Sequence, residues 1–447
     1  MKSADVRSRA DRPDVPLLTH RGEVAEVIVD WRYKSFPAHD VALRVSNLPT
    51  CGWKALGGDL SFPVVLVRQS ALEHNIALMA EYCRSHHVSI APHAKTPIAP
   101  QVVERQLEAG AWGISVANLH QLRVLRHFGT ARLLLANEVV ELSALRWIVD
   151  ELERAPDFEF TCLVDSVPCV ALMDELLSEL KTRRRLNVLL EVGIPGGRAG
   201  TRSRAEAITV AQAVRASKHL RLVGVEGYEG MIHADRSPAG LQAIDAYAAE
   251  LRGLTTDLQS KGFFDDVDEI IVSAGGSIFF DRVVRELADE PWNPGQAVRV
   301  LLRAGSYVTH AAGRFDELAA LGSGHHAGTA DAFEQALEVW GAVLSRPEPD
   351  LAILGFGKRD VPYDDGLPIA FKIQRRSGVM EPVDRDVTLL SLNDQHFRLK
   401  VPAPLDLGPG DLVGFHVTHP CTTFDKWRLV PIVDDGYVVV DALMTYF

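Results

Sequence analysis

From about Phe62 onward the chain repeats one unit, a short apolar, β-branched run followed by a helix-length amphipathic stretch. The runs are Val64–Val67, Val88–Ala91, Gly113–Ala117, Arg132–Ala136, Glu159–Val164, Asn187–Val192, Leu222–Glu226 and Ile270–Ser273. Helix patterns fill the gaps. In Ser70–His86, residues Leu72, Ile76, Leu78, Met79 and Cys83 recur at three- to four-residue spacing, and Ser203–Lys218 is similar. Eight strands alternating with helices predict an α/β fold, a parallel (β/α)8 TIM barrel. An open doubly wound sheet fits the same alternation, but no GxGxxG follows the first run, which weakens its dinucleotide-binding form.

After about Gly328 the texture changes and Val, Thr, Pro, Gly and Asp become prominent. Strands are predicted at Ala336–Leu344, Ala352–Leu354, Val387–Leu392, Phe397–Val401, Leu412–His416 and Tyr437–Ala442. They are punctuated by turn signals such as Asp364-Asp365-Gly366, Gly408-Pro409-Gly410 and Asp434-Asp435-Gly436. The expected division is therefore threefold. Residues 1–60 form a tail and a segment packed on the β domain, 61–328 the barrel, and 329–447 a second, mostly β domain. A length of 447 residues suits two or three such units.

A formal charge of -12 argues against nucleic-acid and anionic-membrane partners. No apolar run approaches a membrane span, and Met1–Pro16 lacks the apolar core of a secretory signal. The five cysteines are scattered with no CxxC pair, so a disulfide framework is not expected and a cytoplasmic location is.

Barrel active sites sit at the C-terminal ends of the strands. There the sequence places His93 and Lys95 in Ala91-Pro92-His93-Ala94-Lys95-Thr96-Pro97, at i and i+2 of an extended run and so on one face. A lysine at such a mouth suits Schiff-base chemistry; it equally suits a solvated residue closing a βα turn. Asn118, Gly193-Ile194-Pro195-Gly196-Gly197-Arg198 and Gly227-Tyr228-Glu229-Gly230 end further strands. Ser273-Ala274-Gly275-Gly276-Ser277 precedes a helix and is the best phosphate cradle, since its glycines let backbone amides approach an anion. It also reads as an ordinary turn that needs glycine. Arg198 suits a carboxylate or phenolic oxygen, or a solvated loop. Tyr228 suits a heterocycle, or core packing.

A second cluster is His416-Val417-Thr418-His419-Pro420-Cys421-Thr422-Thr423-Phe424. On an extended segment His419 and Cys421 face one way, and imidazole plus thiolate favours Zn2+ with open positions for water or substrate. His416, at odd spacing, faces away. The polar segment from Gly355 to Gly366 reads as a surface hairpin, or as a loop reaching a partner's site across a dimer interface.

Taken together, the chain resembles the alanine racemase-like (fold type III) pyridoxal phosphate enzymes. Within them it is similar to the D-serine dehydratase / D-threonine aldolase group, especially its bacterial amino-acid deaminase branch. The matching elements are Pro92-His93-Ala94-Lys95-Thr96, Gly110–Ala117, Arg198 in its glycine turn, Ser273–Ser277, Arg303-Ala304-Gly305-Ser306-Tyr307 and His419–Phe424, in that order, within roughly Gly52 to Phe447.

The resemblance implies that Lys95 is the catalytic Schiff-base lysine of pyridoxal 5'-phosphate, with His93 beside it. It implies that Ser273, Gly275, Gly276, Ser277 and Tyr307 hold the phosphate, that Arg198 meets the phenolic oxygen or substrate carboxylate, and that Tyr228 sits by the ring. His419 and Cys421 would hold Zn2+, with Mn2+ as the alternative. The expected activity is dehydration and deamination of a D-configured β-hydroxy amino acid to a 2-oxo acid and ammonia, by a homodimer. In this group aldolases tend to carry aspartate where Cys421 stands, so the cysteine favours dehydration over a D-threonine-type retro-aldol cleavage. A racemase or a non-catalytic pyridoxal phosphate carrier is less well matched. The side chain of the substrate stays open among serine, threonine, 3-hydroxyaspartate and longer polyhydroxy amino acids.

Overall fold

A computed structural model of the chain describes residues 21–37, 43–292, 295–326, 330–383, 386–402 and 405–447. The expected N-terminal tail lies outside the described residues, as does the 328/329 boundary. Eight parallel strands curl into a barrel: β1 (Ser89–Ile90), β2 (Ile114–Val116), β3 (Arg132–Glu138), β4 (Glu159–Val164), β5 (Leu186–Val192), β6 (Leu220–Gly227), β7 (Glu269–Ser273) and β8 (Ala297–Leu302). Hydrogen bonding runs from β1 through β8 and down to β2. A parallel bridge between His93 and Ser115 joins the two ends.

The predicted barrel forms, with one strand exchanged. Val64–Val67, expected as its first strand, lies in a strand Val64–Arg68 that pairs instead with Leu337–Glu348 and Leu429–Val433 in the β domain, and Ala297–Leu302 supplies the eighth barrel strand. The physical reason is that Val64, Val65, Leu66 and Val67 are buried on both faces. Such a run has no period to distinguish a barrel strand from a strand inside a β domain.

Inside the barrel Ala91, Leu134, Leu163, Leu189, Val223, Ile271 and Leu301 form one apolar layer. This plug closes the barrel below its C-terminal mouth. Several of the helices that follow the strands begin at a polar side chain that caps them. Asn118, Ser166, Ser203 and Ser237 each accept a hydrogen bond from a backbone N–H three residues on. Asn118, singled out as a strand-end polar residue, is such a cap.

In the β domain Leu337–Glu348 is the central strand, flanked by Val64–Arg68, Leu412–His416 and Leu351–Leu354. The predicted strands from Leu337 to Met444 are present, and Ile369–Gln374, Met380–Pro382 and Leu429–Val433 join them. Pro431 inside the last disguises it as a break. The segment before the barrel packs on this domain: Val24, Leu48, Leu56 and Leu60 share a core with Trp340, Leu429 and Val439. His416 faces away from the barrel mouth, stacked on Phe371 with centroids 4.0 Å apart, and burial pushes its pKa down to about 4. No helix among the described residues is long and apolar enough to cross a membrane. All five cysteines are free thiols.

Candidate active site

A cavity of about 460 Å³ opens at the C-terminal ends of the barrel strands and is bounded on one side by the β domain. That volume suits a cofactor-sized ligand with a small substrate. Among the residues expected to act, it brings together His93, Lys95, Arg198, Tyr228, Gly276, Ser277, His419 and Cys421.

Lys95 stands in a tight turn after β1, not on a strand, and its side chain is exposed to the cavity. The turn is braced by Ala94 N–H donating to the Ser115 carbonyl (2.8 Å) and by Ser115 Oγ donating to the Ala91 carbonyl (2.8 Å). The Lys95 N–H donates to His93 Nδ1 at 3.4 Å. Burial, together with the positive charges of Lys95, Arg303 and Arg198, holds the His93 ring well below its usual pKa. His93 therefore acts there as a neutral acceptor.

The Gly275-Gly276 amides are not open to a phosphate. The carboxylate of Glu229, wholly buried at 0% exposure, accepts from Gly275 N–H at 3.0 Å and from Gly276 N–H at 2.5 Å. Desolvation raises the Glu229 pKa, and the two amides counter it. Gly275 itself is required by geometry: its φ is +91°, and a Cβ there would meet Leu302 Cδ2 at 2.5 Å. The open donors lie one step further. Ser277 Oγ accepts from Gly305 N–H at 3.3 Å and from Ser306 Oγ at 3.0 Å, so two hydroxyls converge beside Lys95 in the same cavity. Gly305 allows this approach, since a Cβ there would lie 2.3 Å from the His93 carbonyl oxygen.

Two expected phosphate residues are elsewhere. Ser273 is buried and donates to the Leu301 carbonyl at 3.1 Å. Tyr307 is buried with its hydroxyl accepting from Gln106 Nε2 at 3.0 Å, on the far side of the β8 loop. Neither lines the cavity.

Arg198 lies over the Tyr228 ring at 4.7 Å, and its guanidinium has no carboxylate partner among the described residues. Arg303 is committed: it pairs with the buried Glu226 and donates to the Gly227 carbonyl at 3.2 Å. Beside this pair stand two further carboxylates, Glu191 and Glu138. Burial, then the neighbouring Glu226 and Glu138, push Glu191 up to about 9. Near neutral pH it keeps a proton. These strand-end glutamates went unassigned in the sequence, where a lone charge closing each apolar run was the available signal.

His419 and Cys421 meet, but not by alternation along a strand. Pro420–Phe424 forms one helical turn with His419 as its N-cap residue, so thiol and ring come together across the helix start. The hydrogen bond to Cys421, followed by the charges of Cys421 and Asp364, pushes His419 up to about 9. Burial pushes the Cys421 thiol up, but hydrogen bonds from His419 and Thr96 and the charges of His419 and Lys95 outweigh it and lower its pKa. His419 Nδ1 lies 2.8 Å from Asp364 Oδ2, and Thr422 Oγ1 donates to Asp364 Oδ1 at 3.2 Å. The loop ending at Gly366 thus reaches this chain's own site, through Asp364 and through Asp365 in the cavity wall. Among the described residues no group of three or more His, Cys, Asp or Glu side chains is placed to hold a metal ion. A soft two-donor pair with open positions remains, which suits a catalytic ion more than a structural one.

Comparison with known proteins agrees with this architecture. Residues 67–281 match the model of the alanine racemase N-terminal domain, and residues 336–433 that of a putative serine dehydratase domain. The chain is 26% identical to 3-hydroxy-D-aspartate aldolase of Paracoccus denitrificans (strain Pd 1222) over 376 residues, covering 80% of this chain and 88% of that protein. It is 24% identical to D-threonine aldolase of an Arthrobacter species, covering 84% and 90%. Among solved structures, D-threonine aldolase from Filomicrobium marinum superposes with a TM-score of 0.69 at 23% identity, covering 87% of this chain and 95% of that one. A mutant of D-threo-3-hydroxyaspartate dehydratase in a metal-free form also gives 0.69, at 19% identity, covering 88% and 99%. These structural likenesses speak to the fold.

Proposed function

The chain is an alanine racemase-like, fold type III protein with a serine dehydratase-like β domain, and from that premise we propose that it is a pyridoxal phosphate-dependent lyase of D-configured β-hydroxy amino acids, acting as a dehydratase. The observation that carries the reading is the shared cavity: the Lys95 amine, a pair of serine hydroxyls, an uncommitted guanidinium and a thiol–imidazole pair all line it. This donor set fits the cofactor. Lys95 Nζ would anchor it, the Ser277 and Ser306 hydroxyls would hold its phosphate, and Tyr228 would flank its ring. The cofactor supplies an electron sink for the α-carbon.

His419 and Cys421 fit a zinc ion completed by water or substrate, with Asp364 fixing the ring as such second partners do. Zinc would supply Lewis-acid assistance to loss of the β-hydroxyl. That a structurally similar dehydratase is described in a metal-free form supports a metal as part of this reading. The chain's own residues do the rest. Arg198 orients the substrate carboxylate. Lys95 Nζ, once free, takes the α-proton. The apolar plug beneath the mouth keeps water from below.

Relatives named as aldolases favour a second reading, retro-aldol cleavage to glycine and an aldehyde. The test is product analysis with a panel of D-β-hydroxy amino acids. Ammonia and a 2-oxo acid are expected; glycine and an aldehyde as the sole products would replace dehydration by cleavage.

A further inference from the structure

Buried polar atoms without partners gather at the strand ends of the barrel. Glu226, near the end of β6, is 1% exposed and lines the cavity. Its Oε1 accepts from Arg303, but its Oε2 meets no donor among the described residues. Glu138 Oε1, at the end of β3, is likewise buried and unpartnered. Against these two acceptors this cluster holds one unspent donor, Arg303 Nε. A buried carboxylate oxygen left without a donor is destabilising. Burial raises the Glu226 pKa, and the Arg303 charge opposes it.

Topology sets Glu226 across from the proposed cofactor anchor. Around the barrel the strands run β1, β8, β7, β6, β5, β4, β3, β2, so β5 and β6 stand opposite β1, which delivers Lys95. Ser277 and Ser306 follow β7 and β8, between those two walls. In pyridoxal phosphate the ring nitrogen is para to the carbon whose aldehyde a lysine takes, and the phosphate arm stands on the next carbon. A ring joined to Lys95, with its phosphate arm at Ser277 and Ser306, turns its nitrogen toward the far wall.

Resting on the lyase reading above, we propose that Glu226 is the partner of the cofactor's ring nitrogen, accepting its N–H through Oε2 and holding the ring in the pyridinium form. A hydrogen bond between a positive N–H and a carboxylate is of the strong kind. A positive nitrogen also deepens the electron sink offered to the α-carbon. An unprotonated nitrogen would take Arg303 Nε instead and leave both carboxylate oxygens without donors. The protonated ring satisfies one of them and leaves the Arg303–Glu226 pair intact.

The experiment loads the chain with pyridoxal phosphate labelled with nitrogen-15 in the ring and records the NMR shift of the bound cofactor. The wild-type shift is expected in the pyridinium range at neutral pH. In Glu226→Gln, which keeps the size and loses the charge, it should move to the neutral-pyridine range, with elimination slowed by about ten- to a hundredfold. A neutral nitrogen in the wild type, or a pyridinium that persists in Glu226→Gln, overturns the proposal. A second measurement needs no variant: the apo-protein is titrated with the deaza analogue, in which a ring C–H replaces the nitrogen. Its affinity should be at least about tenfold below that of the cofactor, and equal affinity overturns the proposal. A chain that takes up no cofactor and gains no visible absorption overturns the lyase reading itself, and this proposal with it.

Discussion

The Thr96 hydroxyl and the Cys421 thiol lie 3.3 Å apart, although 325 positions separate them in the chain. Thr96 follows Lys95 directly, so this contact ties the amine-bearing turn of the barrel to the thiol of the β domain. This hydrogen bond links the two halves of the proposed chemistry directly. In Thr96→Val, loss of this bond should raise the Cys421 thiol pKa, seen as slower alkylation of the metal-free protein near neutral pH.

Cys421→Ala removes half of the proposed metal clamp while leaving the cofactor donors in place. Metal content of the purified protein should fall below one ion in ten chains, and dehydration by at least about a hundredfold. The cofactor absorption should persist. Elemental analysis beside a visible spectrum checks both.

Asp364→Asn keeps the size of the side chain facing His419 but removes its charge. Partners of this kind are worth about 10–100-fold in metal affinity. Zinc competition against a chelator should show a loss in that range, with the cofactor spectrum unchanged.

The proposed phosphate donors are Ser277 and Ser306 and not Tyr307. Ser306→Ala should weaken cofactor retention by about tenfold, the value of a lost hydrogen bond to a charged group. Tyr307→Phe should leave it unchanged, because that hydroxyl is spent on Gln106. Apo-enzyme titration with the cofactor measures both.

Glu191 gives a pH signature. The folded chain keeps its proton up to about 9, whereas the ordinary value is 4.5. Between these the native state binds more protons than the unfolded chain, so stability falls as pH rises through that window. Glu191→Gln removes the dependence. From pH 5.5 to 8.5 the wild-type Tm should drop by about 5 °C more than that of the variant, as thermal melts would show.

How much of this was legible depended on where each signal lay. The barrel was readable because a β-branched run followed by an amphipathic helix is a local pattern. Ala297–Leu302 was hidden by Arg299, whose charge breaks the apolar run and is satisfied across the sheet by Glu269 and Ser89. Lys95, Ser277 and the His419–Cys421 pair were readable because polar residues closing apolar runs stand out. Glu229 was not, since a glutamate in Gly-Tyr-Glu-Gly looks solvated. Its burial comes from amides 46 and 47 positions further on. Asp364 escaped for the same reason, as its partner lies 55 positions away.

The claim on which the account rests is that the Lys95 amine carries the cofactor. Borohydride reduction of the holoenzyme, followed by peptide mass spectrometry, tests it directly. The account predicts a pyridoxyl-modified peptide containing Lys95, absent from Lys95→Ala together with the visible absorption and with activity. Modification at another lysine, or a Lys95→Ala protein that keeps its colour and turnover, would contradict it.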